Sequence, residues 1–194
     1  MNLLRQLSFL LRITRSQGIV RRYFVVNGFD GALAMLGLII GFIISAPDNI
    51  PVIINVCLGA TIALSMSGIS SAYISEEAER KRALEKLQGA MVADLQESAH
   101  GKAARRVPLV VALVNGSAPL VISLLILLPL WLAQHGVALP ISPLYAAIVV
   151  ALLLIFLLGV FLGRIAGVSW LRSGTKTLLI ALLTAAIIYL LEGY

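Results

Sequence analysis

The chain is poor in charge, in cysteine and in histidine, and each scarcity removes a class of function. Only 12% of its 194 residues are Asp, Glu, Lys or Arg, whereas 60% are apolar and the mean hydropathy is +1.00. A soluble domain is roughly 25% charged and about 45–50% apolar, so a soluble enzyme is excluded; disorder, which needs low hydrophobicity and high charge, is excluded too. The single cysteine, Cys57, sits in an apolar run and can form no internal disulfide. The two histidines, His100 and His135, are predicted on opposite sides of a membrane, so neither an HExxH site nor a histidine-based triad can be built. Phosphate-binding loops of the GxxxxGK[ST] and GxGxxG types are missing as well, which leaves a gradient to drive any transport. No enzymatic activity is expected, and no permanently bound cofactor.

What the chain has is long hydrophobic runs. A spanning helix needs roughly 20 mainly apolar residues, and five such stretches occur, at about Phe24 to Ala46, Pro51 to Ile74, Val107 to Ala133, Ile141 to Ala166 and Thr175 to Leu191. The breaks between them are turn-like or charged: SAPDNIP, SEEAERKR, QHGVALPISP and GVSWLRSG. The fold class predicted is an all-α integral membrane protein of five transmembrane helices. Its organisation is a basic N-terminal segment (1–22), two spans (23–74), a helical segment (75–106) and three further spans (107–194).

Positive charge is distributed unevenly around these spans. Arg5, Arg12, Arg15, Arg21 and Arg22 precede the first, and seven further bases from Arg80 to Arg106 lie between the second and third. Arg164, Arg172 and Lys176 flank the turn between the fourth and fifth, and the two remaining loops and the C-terminus have no Lys or Arg. The positive-inside rule then places the N-terminus in the cytoplasm and the C-terminus outside. The net charge of +6 therefore reflects orientation, and nucleic acid is not an expected partner. Arg5 and Arg12 interrupt the first twenty residues too early for a secretory signal. Leu3, Leu7, Leu10 and Leu11 with Arg5, Arg12 and Arg15 suit a helix lying on the membrane surface, the alternative being a frayed basic tail.

One formal charge lies inside a predicted span: Asp30, in VVNGFDGALAMLG. A carboxylate at the centre of a span costs about 2.5–3.5 kcal/mol on insertion scales, and is by default a functional hypothesis. Asp30 is six residues past Phe24, about 9 Å below the boundary, where a snorkelling or capping role is the plain alternative. Asn27, Gly28 and Gly31 weaken the helix around it and expose backbone carbonyls, which favours a ligand-facing break there. VNG recurs at Val114 to Gly116, again near the start of a span, which suggests two parallel two-helix repeats followed by a final helix. Pro119 and Pro129 predict a kink or break in the third span. Gly37 and Gly41, and Gly159, Gly163 and Gly167, form small-residue faces for close helix packing within the chain or between copies.

The second span ends ATIALSMSGISSAYIS, with hydroxyls at Thr61, Ser65, Ser67, Ser70 and Ser71. Such hydroxyls ordinarily bond to the preceding turn, and a thioether such as Met66 ordinarily fills a gap in the core. With Asp30, however, Met66 would make an oxygen and sulfur pair suited to a borderline ion such as Fe²⁺ rather than to Ca²⁺ or Mg²⁺. No helix breaker follows, so the helix is predicted to continue through SEEAERKRALEKLQGAMVADLQES, with Glu76 pairing Arg80 and Glu77 pairing Lys81 at i,i+4. Leu84, Leu87, Met91 and Leu95 form an apolar stripe that needs a partner surface. Glu76 and Glu79 share a face, as do Asp94 and Glu97 with His100 a turn further on. These carboxylates either belong to a solvated, salt-bridged helix or gather cations at a pore mouth.

The runs NGFDGALAMLGLIIGF, ALSMSGISSAYISEEAERKRALEKL, PLVVALVNGSAPLVISLLILLPL and SWLRSGTKTLLIALLTAAIIYLLEG resemble the vacuolar iron transporter family, especially its short prokaryotic members. The resemblance extends over about residues 20 to 193, with DG in the first span and LSM in the second as its most specific pieces. It implies export of Fe²⁺, and of Mn²⁺ in many members, from the cytosol in exchange for protons. It further implies a homodimer in the lipid bilayer whose first and second helices line the path. The family's ligands on that path carry over to Asp30 and Met66. Its cytoplasmic metal-binding glutamates carry over to Glu76, Glu77, Glu79 and Glu85, with Asp94 and Glu97 as looser matches. Family members commonly have a glutamate after the SM motif where SMSGISSAYIS has serine or alanine. The location implied is a plasma membrane in a prokaryote, or a vacuolar one in a eukaryote. The rival readings are a non-transporting membrane scaffold or regulator, and a transporter of another cation or a small polar solute.

Overall fold

In a bilayer no water satisfies backbone amides, so apolar stretches of this length must bond internally, and they do so as helices. The computed structural model describes residues 9–10, 12–13, 17–45 and 49–192. Within these, five long helices follow one another: α1 (Gln17–Ser45), α2 (Ile50–Met91), α3 (Ala99–Gln134), α4 (Pro143–Ile165) and α5 (Trp170–Glu192). All five are long and apolar enough to cross a membrane. Each corresponds to one of the stretches read from the sequence, although α1, α3 and α5 begin earlier, at Gln17, Ala99 and Trp170, and α4 is shorter than the stretch from Ile141 to Ala166. Ala46 and most of the expected N-terminal surface helix, including Arg5 and Arg15, lie outside the described residues.

α2 is 42 residues long, about 63 Å at 1.5 Å per residue and so roughly twice the hydrocarbon thickness. Asn49 starts it by accepting the Val52 amide on its side-chain oxygen at 3.3 Å. The helix expected to run on to Ser98 stops at Met91. Val92 takes a left-handed conformation (φ 50°), and the Ala93 amide bonds back to the Gln88 carbonyl at 3.3 Å. This is a Schellman ending with valine where glycine is usual. α3 and α4 end in the same way around glycine, Gly136 (φ 79°) and Gly167 (φ 69°). Of the kink or break expected at the prolines of α3, the break does not occur, as the helix is continuous through Pro119 and Pro129. Nor does the ligand-facing break expected beside Asp30, since α1 is helical through Asn27, Gly28 and Gly31, whose two glycines instead pack against neighbouring helices.

The described residues form two compact units: those up to Phe24 together with Ser65–Ser117, and Val25–Leu64 together with the residues from Ala118 onward. In the second unit, α1 buries Ala32, Met35, Leu36 and Ile39 against Ile53, Ile54 and Cys57 of α2. Ile122, Ile126, Leu127 and Leu130 of α3 and Ala147, Ala151, Ile155 and Leu158 of α4 complete this core. These positions repeat every three or four residues, which is one helix face. The glycines of α4 serve α5 of the same chain. A Cβ on Gly159 would overlap Thr177, and one on Gly163 would lie 2.7 Å from the Ser173 Cβ. On the α5 side, a Cβ on Gly174 would lie 2.6 Å from the Phe156 ring.

The first unit is closed by polar bonds between helices. Ser65 Oγ donates to the Gly116 carbonyl of α3 at 2.7 Å, and Asn115 Nδ2 donates to the Gly68 carbonyl of α2 at 2.8 Å. Gly116 permits this approach, since a Cβ there would stand 2.6 Å from the Ser65 carbonyl oxygen and overlap Ile69. A second cluster unites Leu10, Ala103, Val107 and Val111, with Ile19, Val20 and Tyr23 packed against it.

Candidate functional site

Asp30 is held in place by the glycine beside it. Gly31 is buried against Pro119, where a Cβ would fall 2.7 Å from the proline Cα, and Gly28 faces Leu158 and Ile122. With those two residues turned into the second unit, Asp30 points away from it and is exposed. Its carboxylate makes no hydrogen bond or ion pair with any described residue. An ionised group on the flank of an otherwise apolar helix needs water, a cation or a polar neighbour there.

Met66 belongs to the first unit, and the expectation of a gap-filling core thioether is overturned: its side chain is 55% exposed. Ser65, one position before, turns inward to bond Gly116, and that rotation carries Met66 outward together with Ser67 and Ser70. In the second unit, α2 exposes Asn55, Gly59 and Ala63 at four-residue spacing alongside Val52, Val56 and Ile62. Thr61 follows the ordinary pattern, bonding the Cys57 carbonyl at 2.8 Å and approaching the Met35 sulfur at 3.8 Å.

The carboxylates beyond the second span are distributed rather than assembled. Glu76 is 2% exposed and receives both Nε (3.2 Å) and Nη2 (3.0 Å) of Arg80 on one oxygen, which is the ion pair anticipated at i,i+4. Glu77 is exposed and accepts the Tyr73 hydroxyl at 3.3 Å; it forms no ion pair with Lys81. Glu79 and Glu85 are exposed. Asp94 lies in the turn after α2, where one carboxylate oxygen accepts Gln88 Nε2 (3.0 Å) and the Gln96 amide (2.9 Å). Glu97 stands 3.7 Å from Arg105, with both side chains largely exposed. Among the described residues no three His, Cys, Asp or Glu side chains come together to hold a metal ion. Within the apolar stripe Leu84 is buried, Leu87 and Leu95 are half-buried, and Met91 is exposed.

Sequence reading singled out both VNG motifs without assigning their work. Gly28 and Gly116 are both buried at helix contacts, and Asn115 bonds across to the neighbouring helix. The repeated tripeptide was the available signal; the acceptors, being backbone carbonyls, leave no trace in side-chain identity.

Five apolar helices and a lone carboxylate on the flank of one of them define a multi-pass helical membrane protein. The chain is 33% identical over 175 residues to the uncharacterized protein MJ0645 of Methanocaldococcus jannaschii, covering 88% of this chain and 87% of that one. It belongs to the same family as that archaeal protein. No family model and no solved structure matches it.

Proposed function

We propose that the protein carries a divalent cation, Fe²⁺ and also Mn²⁺, out of the cytosol across the membrane in exchange for protons. The observation that supports this most is Asp30: an exposed carboxylate without a described partner, on the flank of an apolar helix. A carboxylate facing lipid costs about 2.5–3.5 kcal/mol at mid-bilayer and less at the depth of Asp30, and it is best tolerated where a cation or water meets it. Met66, exposed rather than packed, supplies a softer donor that favours Fe²⁺ over Ca²⁺ or Mg²⁺. The resemblance to vacuolar iron transporters points to the same two residues.

In this reading two copies meet through their first and second helices, and Asp30 and Met66 serve as cation ligands, as the family resemblance implies. The small and hydroxyl residues that α2 exposes suit such a contact. The basic segments set the N-terminus in the cytoplasm of a plasma membrane. The carboxylates from Glu76 to Glu97 gather the cation before it enters, and Asp30 takes up the returning proton once the metal leaves. A second reading is a membrane scaffold or regulator. It is favoured by the segment after the second span, whose carboxylates do not converge and whose Glu76 is already occupied by Arg80.

The deciding experiment is metal flux into proteoliposomes driven by a pH gradient, with Fe²⁺, Mn²⁺, Co²⁺ and Zn²⁺ in competition. Wild-type protein accumulates Fe²⁺, whereas Asp30→Asn and Met66→Ala proteins do so at roughly a tenth of that rate or less. Asp30→Asn flux at the wild-type rate would remove the carboxylate from the route, and no flux of any of the four ions by wild type would overturn the reading as a carrier of these metals.

A further inference from the structure

One apolar cluster of the first unit is flanked in sequence by cations that no acid among the described residues answers. Leu10, Ala103, Val107 and Val111 are buried together, with Ile19, Val20 and Tyr23 against them, so the start of α1 lies along the start of α3. Arg12 follows Leu10 closely, Arg21 and Arg22 fall between Val20 and Tyr23, and Lys102 and Arg106 immediately precede Ala103 and Val107. All five side chains are exposed, and none makes a hydrogen bond or ion pair with a described residue. Arg105 is different: Glu97 stands beside it and the Gln96 carbonyl accepts its Nη2 at 3.2 Å. Phe9, next to the buried Leu10, is itself exposed.

Five unanswered positive charges thus adjoin the ends of two apolar spans, beside an exposed aromatic ring. Lipid phosphates lie at that level of a bilayer, where cationic and aromatic side chains concentrate. We propose that this α1–α3 flank binds anionic phospholipid of the phosphatidylglycerol type in preference to zwitterionic lipid. The cations take the headgroup phosphate, and the acyl chains lie along the adjoining apolar helices. Free phosphate has the charge but no tail to place there. Clusters of Lys and Arg beside a span gain appreciably from an anionic surface, each residue adding to the attraction.

The test is native mass spectrometry of the full-length protein released from detergent with an equimolar mixture of phosphatidylglycerol and phosphatidylcholine. Wild type retains phosphatidylglycerol over phosphatidylcholine by ~10-fold. Replacing Arg12, Arg21, Arg22, Lys102 and Arg106 all by Gln abolishes the preference, while an otherwise matched variant with the four arginines changed to Lys keeps it. If the five-site Gln variant fails to fold by circular dichroism, the pairs Arg21→Gln/Arg22→Gln and Lys102→Gln/Arg106→Gln are read instead, and each reduces the preference part-way. Equal retention of the two lipids by wild type overturns the proposal, as does an undiminished preference in the Gln variants. Displacement of the lipid by millimolar inorganic phosphate also overturns it, since it would mark a site for the free ion. None of these readings depends on metal flux.

Discussion

α4 and α2 each turn a face outward, and the two faces are made of different residues. α4 presents Tyr145, Val149, Leu153, Leu157 and Phe161 at four-residue spacing, all bulky and apolar. α2 exposes Asn55, Gly59 and Ala63 among Val52, Val56 and Ile62 in the second unit, and Met66, Ser67 and Ser70 in the first. Lipid tails are well served by the first kind of surface, while small and hydroxylated residues are useful where another backbone comes near or water enters. In a membrane protein, accessibility alone therefore does not mark the surface that meets lipid. The chemistry of the exposed residues does.

The comparison breaks most visibly at glycine. Gly116→Leu forces a side chain into the Ser65 carbonyl and Ile69, and is expected to cost about 3 kcal/mol or more, read as loss of folded protein in a thermal melt. A Cβ on Gly59 would meet nothing within 4 Å, so Gly59→Leu is free of a clash at that atom. It is expected to leave the monomer's melt unchanged and to weaken self-association in a single-molecule photobleaching count; an unaltered count would assign that face to lipid. Next in size, Asp30→Asn should slow Fe²⁺ flux by roughly tenfold or more, and Leu153→Ala on α4 should leave it unaltered. Asn115→Ala removes one bond between helices and should lower stability by about 1 kcal/mol, measured by unfolding in mixed micelles. Smallest, and on neither face, Val92→Gly should raise stability by about 1 kcal/mol by relieving the left-handed conformation of a β-branched residue. Val92 is 93% exposed, so little packing is given up.

Much of the architecture is legible without coordinates, because twenty apolar residues in a row have few alternatives to a spanning helix. The five spans, the extension of α2 past Ile74 and the Glu76–Arg80 pair follow from runs, absent breakers and i,i+4 spacing. The end of that extension does not, since valine at Val92 carries none of the stop signals that Gly136 and Gly167 provide. Nor does the continuity of α3, where Gly31 vacates the space that Pro119 occupies. For the candidate site, sequence singles out Asp30 by its charge and Met66 by its chemistry. Which way each points depends on Gly31 and Ser65 choosing their contacts, and that is a property of packing.

The bonds from Ser65 and Asn115 both end on carbonyl oxygens, Gly116 on one side and Gly68 on the other. Backbone acceptors persist through every substitution, so the lock between α2 and α3 is lost either at its two donors or by a side chain at Gly116 that forces the helices apart. Sliding one of these helices past the other by a residue would strand an amide and a hydroxyl at a depth where no solvent replaces their partners. Over these residues the pair is bound to travel as one piece, and any rearrangement of the helices must draw its movement from joints without such a latch.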